Sequence, residues 1–381
     1  MKKIFRKIHL WLSVPFGIFI TLICFSGAMM VFEKEITEFL EPELYFVDSK
    51  GNAPIPLDSL MRTVAASLPD SVSVTGVTVP ASPGRAYQVS LSKPRRASVY
   101  VDQYTGDIKG SSSRLPFFDT MFHLHRWLMG ASQSKNGGMS AGKLIVGLST
   151  SALVLILLTG ILMWLTNRNK PLAKSLTVSF TKGWPKFFHD IHVAGGIYVT
   201  VFLLAIALTG LNWSFKWYRN GFFSLFGADT QATRTEASRG GSGRGDRSDS
   251  GRSDRPSHRE TLPFAHWQEV HDALAAEFPD CRQITISEGS AGVVPAGRRS
   301  MRATDTYSFD RRTGEIRGCE PYSSKDRSVK LQGVIYTVHT GSWGGLVTRI
   351  LNFLAALLGA TLPLTGYYLW IRRLLRKKQQ A

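Results

Sequence analysis

The residues of this chain best placed to bind something are its histidines. His192 stands near the start of an apolar stretch, Ile191–Phe215, that runs 25 residues without Asp, Glu, Lys or Arg. The spacing His192-x17-Gly210 recurs near the N-terminus as His9-x17-Gly27, and in both the glycine follows a small hydroxyl residue, Thr209 or Ser26. A second matched pair, Leu-His125 and Val-His339, precedes two further apolar stretches. Neutral imidazole is a metal ligand that needs no charge compensation in a low dielectric, and its second nitrogen can be oriented by a neighbouring acceptor. A lone histidine at a membrane helix end is ordinarily an interfacial anchor; four at matching depths suggest two facing pairs of ligands.

Two alternatives stay open. His189 lies three residues before His192, so the two share a helix face and either could ligate. Alignment with the first helix sets His192 against His9 and His189 against Arg6, which favours His192. His123 competes with His125; two apart on a helix, they point to different sides, and alignment with His339 favours His125.

The elements that carry these residues are membrane helices. Ile8–Phe32, Leu144–Thr166 and Ile350–Ile371 also lack charged residues, and each exceeds or approaches the roughly 20 residues that cross a bilayer. Basic clusters flank them: Lys2, Lys3, Arg6 and Lys7 before the first; Arg168, Lys170, Lys174, Lys182 and Lys186 between the second and third; Arg372, Arg373, Arg376, Lys377 and Lys378 after the fourth. With consecutive spans all three clusters fall on one side, so both termini are expected in the cytoplasm. They supply most of the net charge of +18, which therefore reads as topology and lipid contact rather than nucleic-acid binding. The first helix is too long for a signal peptide and lacks a cleavage site after it. No Asp, Glu, Lys or Arg inside the spans marks an ion or proton path, which argues against a transporter.

Between the spans lie two segments on the opposite side. In the first, Leu57, Leu60, Met61, Val64, Ala65 and Leu68 share one helix face, followed by predicted strands Val72–Val79, Tyr87–Leu91 and Ser98–Asp102. Leu115–Met129 is an aromatic, amphipathic interfacial helix. In the second, an Arg/Gly/Ser-rich linker, 218–261, cannot bury enough surface to fold. A helix through Trp267, Val270, Leu274 and Phe278 follows, then strands Gln283–Ser287 and Thr306–Asp310. His266 and His271 read as polar-face residues and His258 as linker. Cys281 and Cys319, both in this segment, are expected to form a disulfide if it faces an oxidising compartment, while Cys24 is a buried apolar residue. The absence of a C-x-x-C-H motif rules out covalent haem.

The two halves parallel one another. Val-Asp-x2-Thr-Gly-Asp-Ile (Val101–Ile108) matches Phe-Asp-x2-Thr-Gly-Glu-Ile (Phe309–Ile316), and Thr-Gly-x3-Trp ends the second helix (Thr159–Trp164) and the fourth (Thr365–Trp370). The expected fold is thus a four-helix transmembrane bundle of two parallel repeats, each with an exported α+β module. Its segments are helix 1–32, module 33–114, interfacial helix and connection 115–142, helix 143–166, cytoplasmic loop 167–188, helix 189–217, linker 218–261, module 262–332, outer histidine segment and helix 333–371, and tail 372–381.

The duplicated D-x2-T-G-[DE]-I hairpin resembles the PepSY domain, and helices of the form H-x17-[ST]-G and T-G-x3-W resemble the PepSY-associated transmembrane family. The resemblance covers nearly all of the chain outside the linker. It implies a bacterial inner-membrane, iron-regulated protein, similar to ferric-siderophore reductases that carry two b-type haems. On that implication His9 with His192 and His125 with His339 would hold two non-covalent haems, and a periplasmic ferric siderophore would be the electron acceptor. The loop of about 20 residues between helices two and three has no nucleotide-binding signature, so the donor is expected to be a quinol or a separate cytoplasmic protein. The alternative expectation is a haem-free membrane anchor whose PepSY modules bind or restrain an exported peptidase or another partner. Trp11, Trp127 and Trp343 suit porphyrin packing and interfacial anchoring equally.

Overall fold

The computed structural model describes residues 2–48, 51–94, 97–131, 138–166, 172–229, 264–298 and 300–379. Most of the Arg/Gly/Ser-rich linker, with His258, and the start of the cytoplasmic loop lie outside these residues. The chain divides into two compact units: Met1–Glu33, Leu115–Gly227 and Val334–Ala381 form one, and Lys34–Arg114 with Ala228–Gly333 form the other.

The first unit is helical. Helix α1 (Lys2–Met29) leads through a 3-10 turn into α2 (Glu33–Leu40), which lies in the second unit from Lys34 on, as do α3 (Pro42–Tyr45) and α4 (Leu57–Ser67). Helices α5 (Pro116–Trp127) and α6 (Ala141–Leu165) follow; then α7 (Trp184–Asp190) runs through a π-helical turn, Ile191–Gly195, into α8 (Gly196–Ser214) and α9 (Lys216–Leu225). Among the described residues four helical stretches are long and apolar enough to cross a membrane: Lys3–Leu40, Ala141–Leu165, Trp184–Ser214 and Leu346–Arg376. The last lies in α12 (Leu346–Lys378), preceded by α11 (Arg327–Thr340); α10 is Trp267–Glu277.

These four helices form a ring. Helix α1 packs on α6 and α12, and α8 packs on the same two. With almost no apolar contrast between lipid and side chains, such packing depends on close approach and on hydrogen bonds. Both are present: the Thr21 hydroxyl donates to Ala360 O (3.0 Å) and the Tyr367 hydroxyl to Val14 O (2.7 Å), tying α1 to α12. At the bundle centre Ile20, Cys24, Leu157, Val199, Leu203, Ala355 and Ala360 are buried. Residues 218–225, expected in the linker, are helical in α9 because Trp217, Tyr218, Phe222 and Phe226 give that stretch a continuous run of ring contacts.

The described residues of the second unit include one antiparallel sheet of eight strands in the order β4-β3-β2-β1-β5-β6-β7-β8. The strands are β1 (Val74–Pro80), β2 (Tyr87–Leu91), β3 (Ser98–Val101), β4 (Ile108–Ser111), β5 (Gln283–Ser287), β6 (Ser290–Val294), β7 (Asp305–Phe309) and β8 (Ile316–Glu320). The segments expected as separate modules therefore join edge to edge, with Gly76–Pro80 of β1 paired to Ser287–Gln283 of β5. Their apolar strand faces share one core with α4 and α10, including Leu60, Met61, Val77, Val89, Trp267, Leu274, Ile284 and Ile286. Strands β4, β6 and β8 add to the five expected from the sequence.

The D-x2-T-G-[DE]-I motif is a turn between neighbouring strands. Asp102 and Asp310 accept through Oδ1 from the backbone N–H of Tyr104 (2.8 Å) and Arg312 (2.7 Å), and Gly106 and Gly314 follow at φ +82° and +71°. Only glycine adopts that left-handed backbone without a steric penalty, and aspartate is the side chain that closes such a turn.

The expected disulfide is absent: Cys281 and Cys319 are free thiols. Cys281 precedes β5, whereas Cys319 lies in β8, with β6 and β7 between. Three strand spacings are about 14 Å, twice the roughly 7 Å at which Cα atoms can be bridged.

Candidate functional site: two facing histidine pairs

Each matched histidine donates to a backbone carbonyl of a helix other than its own. On α1, His9 donates from Nδ1 to Ile156 O (3.1 Å) and Thr159 Oγ1 (3.2 Å) of α6. In the π-helical turn, His192 donates to Leu362 O (3.1 Å) and Thr365 Oγ1 (3.0 Å) of α12. On α11, His339 donates to Ile206 O (3.0 Å) and Thr209 Oγ1 (3.2 Å) of α8. On α5, His125 donates to Ile23 O (2.8 Å) of α1. A carbonyl only accepts, so the proton sits on Nδ1 in all four rings and the lone pair is left on Nε2.

The hydroxyls fit this direction. Thr159, Thr365 and Thr209 each donate back to carbonyls of their own helix, for example Thr159 to Leu155 O (2.8 Å), so their oxygens face the imidazoles as acceptors. The glycine next in each motif makes room for the ring. A Cβ at Gly160, Gly366, Gly210 or Gly27 would stand 3.6, 3.3, 3.1 or 2.9 Å from Cε1 of His9, His192, His339 or His125. Each of these glycines, with the carbonyl one turn before it, thus cradles an imidazole, and at three of the four positions a threonine hydroxyl adds to the cradle. The sequence displayed them without showing that each receives a histidine from another helix.

The cradled rings meet in twos. His9 and His192 have ring centroids 6.3 Å apart at an interplanar angle of 84°, and His125 and His339 are 6.1 Å apart at 56°. Along α8 the two levels are separated by the 17 residues from His192 to Thr209, about 25 Å of helix. The π-helical turn at His192 widens the backbone there, a distortion that helices often carry at functional sites.

The alternates lie elsewhere. His189 is half exposed and donates from Nδ1 to Asp190 (3.2 Å), whose buried carboxylate also pairs with Lys186 and accepts from Ser179 N–H (3.2 Å). His123 packs on Trp127 (5.0 Å) and lies 3.7 Å from the Asp119 carboxylate. Neither reaches the facing pairs. Of the tryptophans considered, Trp11 is 76% and Trp343 45% exposed. Trp213, which the sequence reading passed over, packs against His339 at 5.0 Å. Outside the bundle, His266 and His271 pair with Glu269 and Asp272 on the surface of α10.

A family model described as the PepSY-associated TM region matches residues 6–373. The chain belongs to that family. The match takes in all four spans and both strand-bearing segments, so the membrane helices and the PepSY-like α+β fold are properties of one family unit. None of the curated proteins searched matches the chain.

Each pair presents two Nε2 lone pairs and nothing else of its kind: among the described residues no group of three or more His, Cys, Asp or Glu could hold a metal ion. Such a pair suits a metal whose other coordination positions are filled by something the protein does not supply.

Proposed function

We propose that this protein is a di-haem b-type electron-transfer protein of the bacterial inner membrane, in which His9 and His192 would hold one haem and His125 and His339 the other. The observation that carries the reading is the separation of the paired rings. Two metal–nitrogen bonds of about 2.0–2.1 Å and roughly 1.2 Å from each ring nitrogen to its centroid sum to about 6.4 Å, against 6.3 and 6.1 Å found. A two-ligand site is also what a porphyrin iron needs, since the macrocycle fills the remaining four positions. Bound there, haem would supply a one-electron Fe(III)/Fe(II) couple at each level.

The residues do the rest. The cradles fix the tautomer, so that Nε2 is always the free nitrogen. Two levels about 25 Å apart, estimated from helix rise, serve a hydrocarbon layer of about 30 Å. By the positive-inside rule we read both termini and the His9–His192 level as cytoplasmic, with a quinol or a separate protein as the donor. We read the two halves as parallel repeats about an axis along the membrane normal: helices α1 and α8 stand diagonally in the ring, as do α6 and α12, and the sheet order is the same read outward from β1 or β5. The acceptor we propose is a periplasmic ferric siderophore, whose reduction to Fe(II) weakens its hold by hard oxygen ligands.

The test is an absorption spectrum of the purified protein, followed by single substitutions. A Soret band with two haems per chain, and loss of about one of the two in each of His9→Ala, His192→Ala, His125→Ala and His339→Ala, supports the reading; His189→Ala and His123→Ala should retain both. A colourless preparation would overturn it and leave the membrane-anchored PepSY protein that restrains an exported partner.

A further inference from the structure

The four cradles are alike in sequence, yet one differs in geometry. His9, His192 and His339 each share their Nδ1 proton between a carbonyl and a threonine hydroxyl, whereas among the described residues His125 donates to Ile23 O alone. Ser26 occupies the motif position of those threonines and, like them, donates to carbonyls of its own helix, Leu22 O (2.6 Å) and Ile23 O (3.1 Å), yet among the described residues no hydrogen bond joins its oxygen to His125. His125 is correspondingly drawn onto the carbonyl, at 2.8 Å, and sits tightest against its glycine.

Resting on the haem reading above, we propose that Thr159, Thr365 and Thr209 are positioning residues that set the rotation and donor strength of the imidazoles they face, and that Ser26 is not. A ring whose N–H is shared between two acceptors is pinned about its Cβ–Cγ bond, because turning toward one acceptor lengthens the bond to the other. A ring with one acceptor swivels onto it, as His125 does. An acceptor at Nδ1 also raises the basicity of Nε2, which favours Fe(III) over Fe(II) and lowers the potential of the bound iron. The His9–His192 level therefore has two hydroxyl-pinned ligands and the His125–His339 level one, matching the different interplanar angles of 84° and 56°.

The experiment uses the full-length haem-loaded protein in detergent, with low-temperature electron paramagnetic resonance of the oxidised form and a redox titration. Thr→Val keeps the shape of the side chain and removes the hydroxyl. Thr159→Val and Thr365→Val should each move the low-spin signal of one haem and raise its midpoint potential. Thr209→Val should do so at the other haem. Thr→Ser at each position should restore the native signal and potential, and Ser26→Ala should change neither. Loss of a haem in a valine variant but not in the corresponding serine variant also supports the proposal. Valine variants with two haems and unchanged signals and potentials, loss of haem in valine and serine variants alike, or a shift in Ser26→Ala as large as theirs would overturn it while leaving the haem assignment standing. A colourless wild-type protein would overturn both.

Discussion

His266 stands at the N-terminus of α10 with a left-handed backbone, φ +67°, and its imidazole donates from Nδ1 to the Glu269 carboxylate at 2.8 Å. That contact, before all other influences, raises its pKa above the ordinary 6.5. A raised value means that the folded chain holds the proton more tightly than the unfolded one. The contact's contribution to stability is then complete below about pH 6.5 and fades as pH rises through the folded value. Histidine resonances followed against pH, with His266 assigned from a His266→Gln spectrum, should show a midpoint above 6.5 that Glu269→Gln returns toward it; an unchanged midpoint would remove Glu269 as the cause. The histidines also show how far single residues were legible. His9, His192, His125 and His339 stood out because each repeats at a matching depth. Their cradles did not, because a hydrogen bond from α1 to α6 spans 147 residues of sequence and leaves no local trace.

At the scale of elements, helices and strands differed in legibility for a physical reason. The long apolar helices carry a strong signal in length alone. Strands β4, β6 and β8 are four or five residues each, contain glycine and, in β8, carry mostly exposed side chains, so no alternation marks them. The seam of the sheet, β1 against β5, joins segments some 200 residues apart and is announced by no motif. A reciprocal pair of caps reinforces it. Asp58 Oδ1 accepts from Gln268 N–H (3.0 Å) at the start of α10, and Gln268 Oε1 accepts from Leu57 N–H (2.8 Å) at the start of α4. Capping bonds of this kind stabilise by about 0.5–2 kcal/mol. Asp58→Ala and Gln268→Ala should each cost about 1 kcal/mol, and the double variant less than the sum, because both bonds hold the same two helix starts together. Hydrogen exchange on the intact protein reads this directly: Gln268→Ala should deprotect the Leu57 amide and Asp58→Ala the Gln268 amide. Strict additivity with no local loss of protection would show that the helices are held by their apolar faces alone.

Across the whole bundle, the two histidine levels are joined by a packed, largely apolar middle, and Gly359 of α12 is one of its close approaches. A Cβ there would stand 2.8 Å from Leu203 Cδ2 on α8 and 3.4 Å from Cys24 Sγ on α1, so three of the four helices meet around one hydrogen atom. The Leu203 methyl is the end of a flexible side chain and can move aside for one carbon, but not for a branched residue. Overpacking a tight interior costs about 1–3 kcal/mol. Gly359→Ala should therefore lower thermal stability in detergent slightly, and Gly359→Leu by the full amount, with both histidine levels disturbed together because α1, α8 and α12 each serve both of them or connect to both. Gly27→Ala makes the contrast: its Cβ would press on His125 Cε1 at 2.9 Å, at one level only. If haem content is the readout, Gly359→Leu should weaken retention at both positions and Gly27→Ala at the His125–His339 position alone. Selective loss at one level in Gly359→Leu would mean that the two sites unfold independently, and that the apolar middle couples them less than its packing implies.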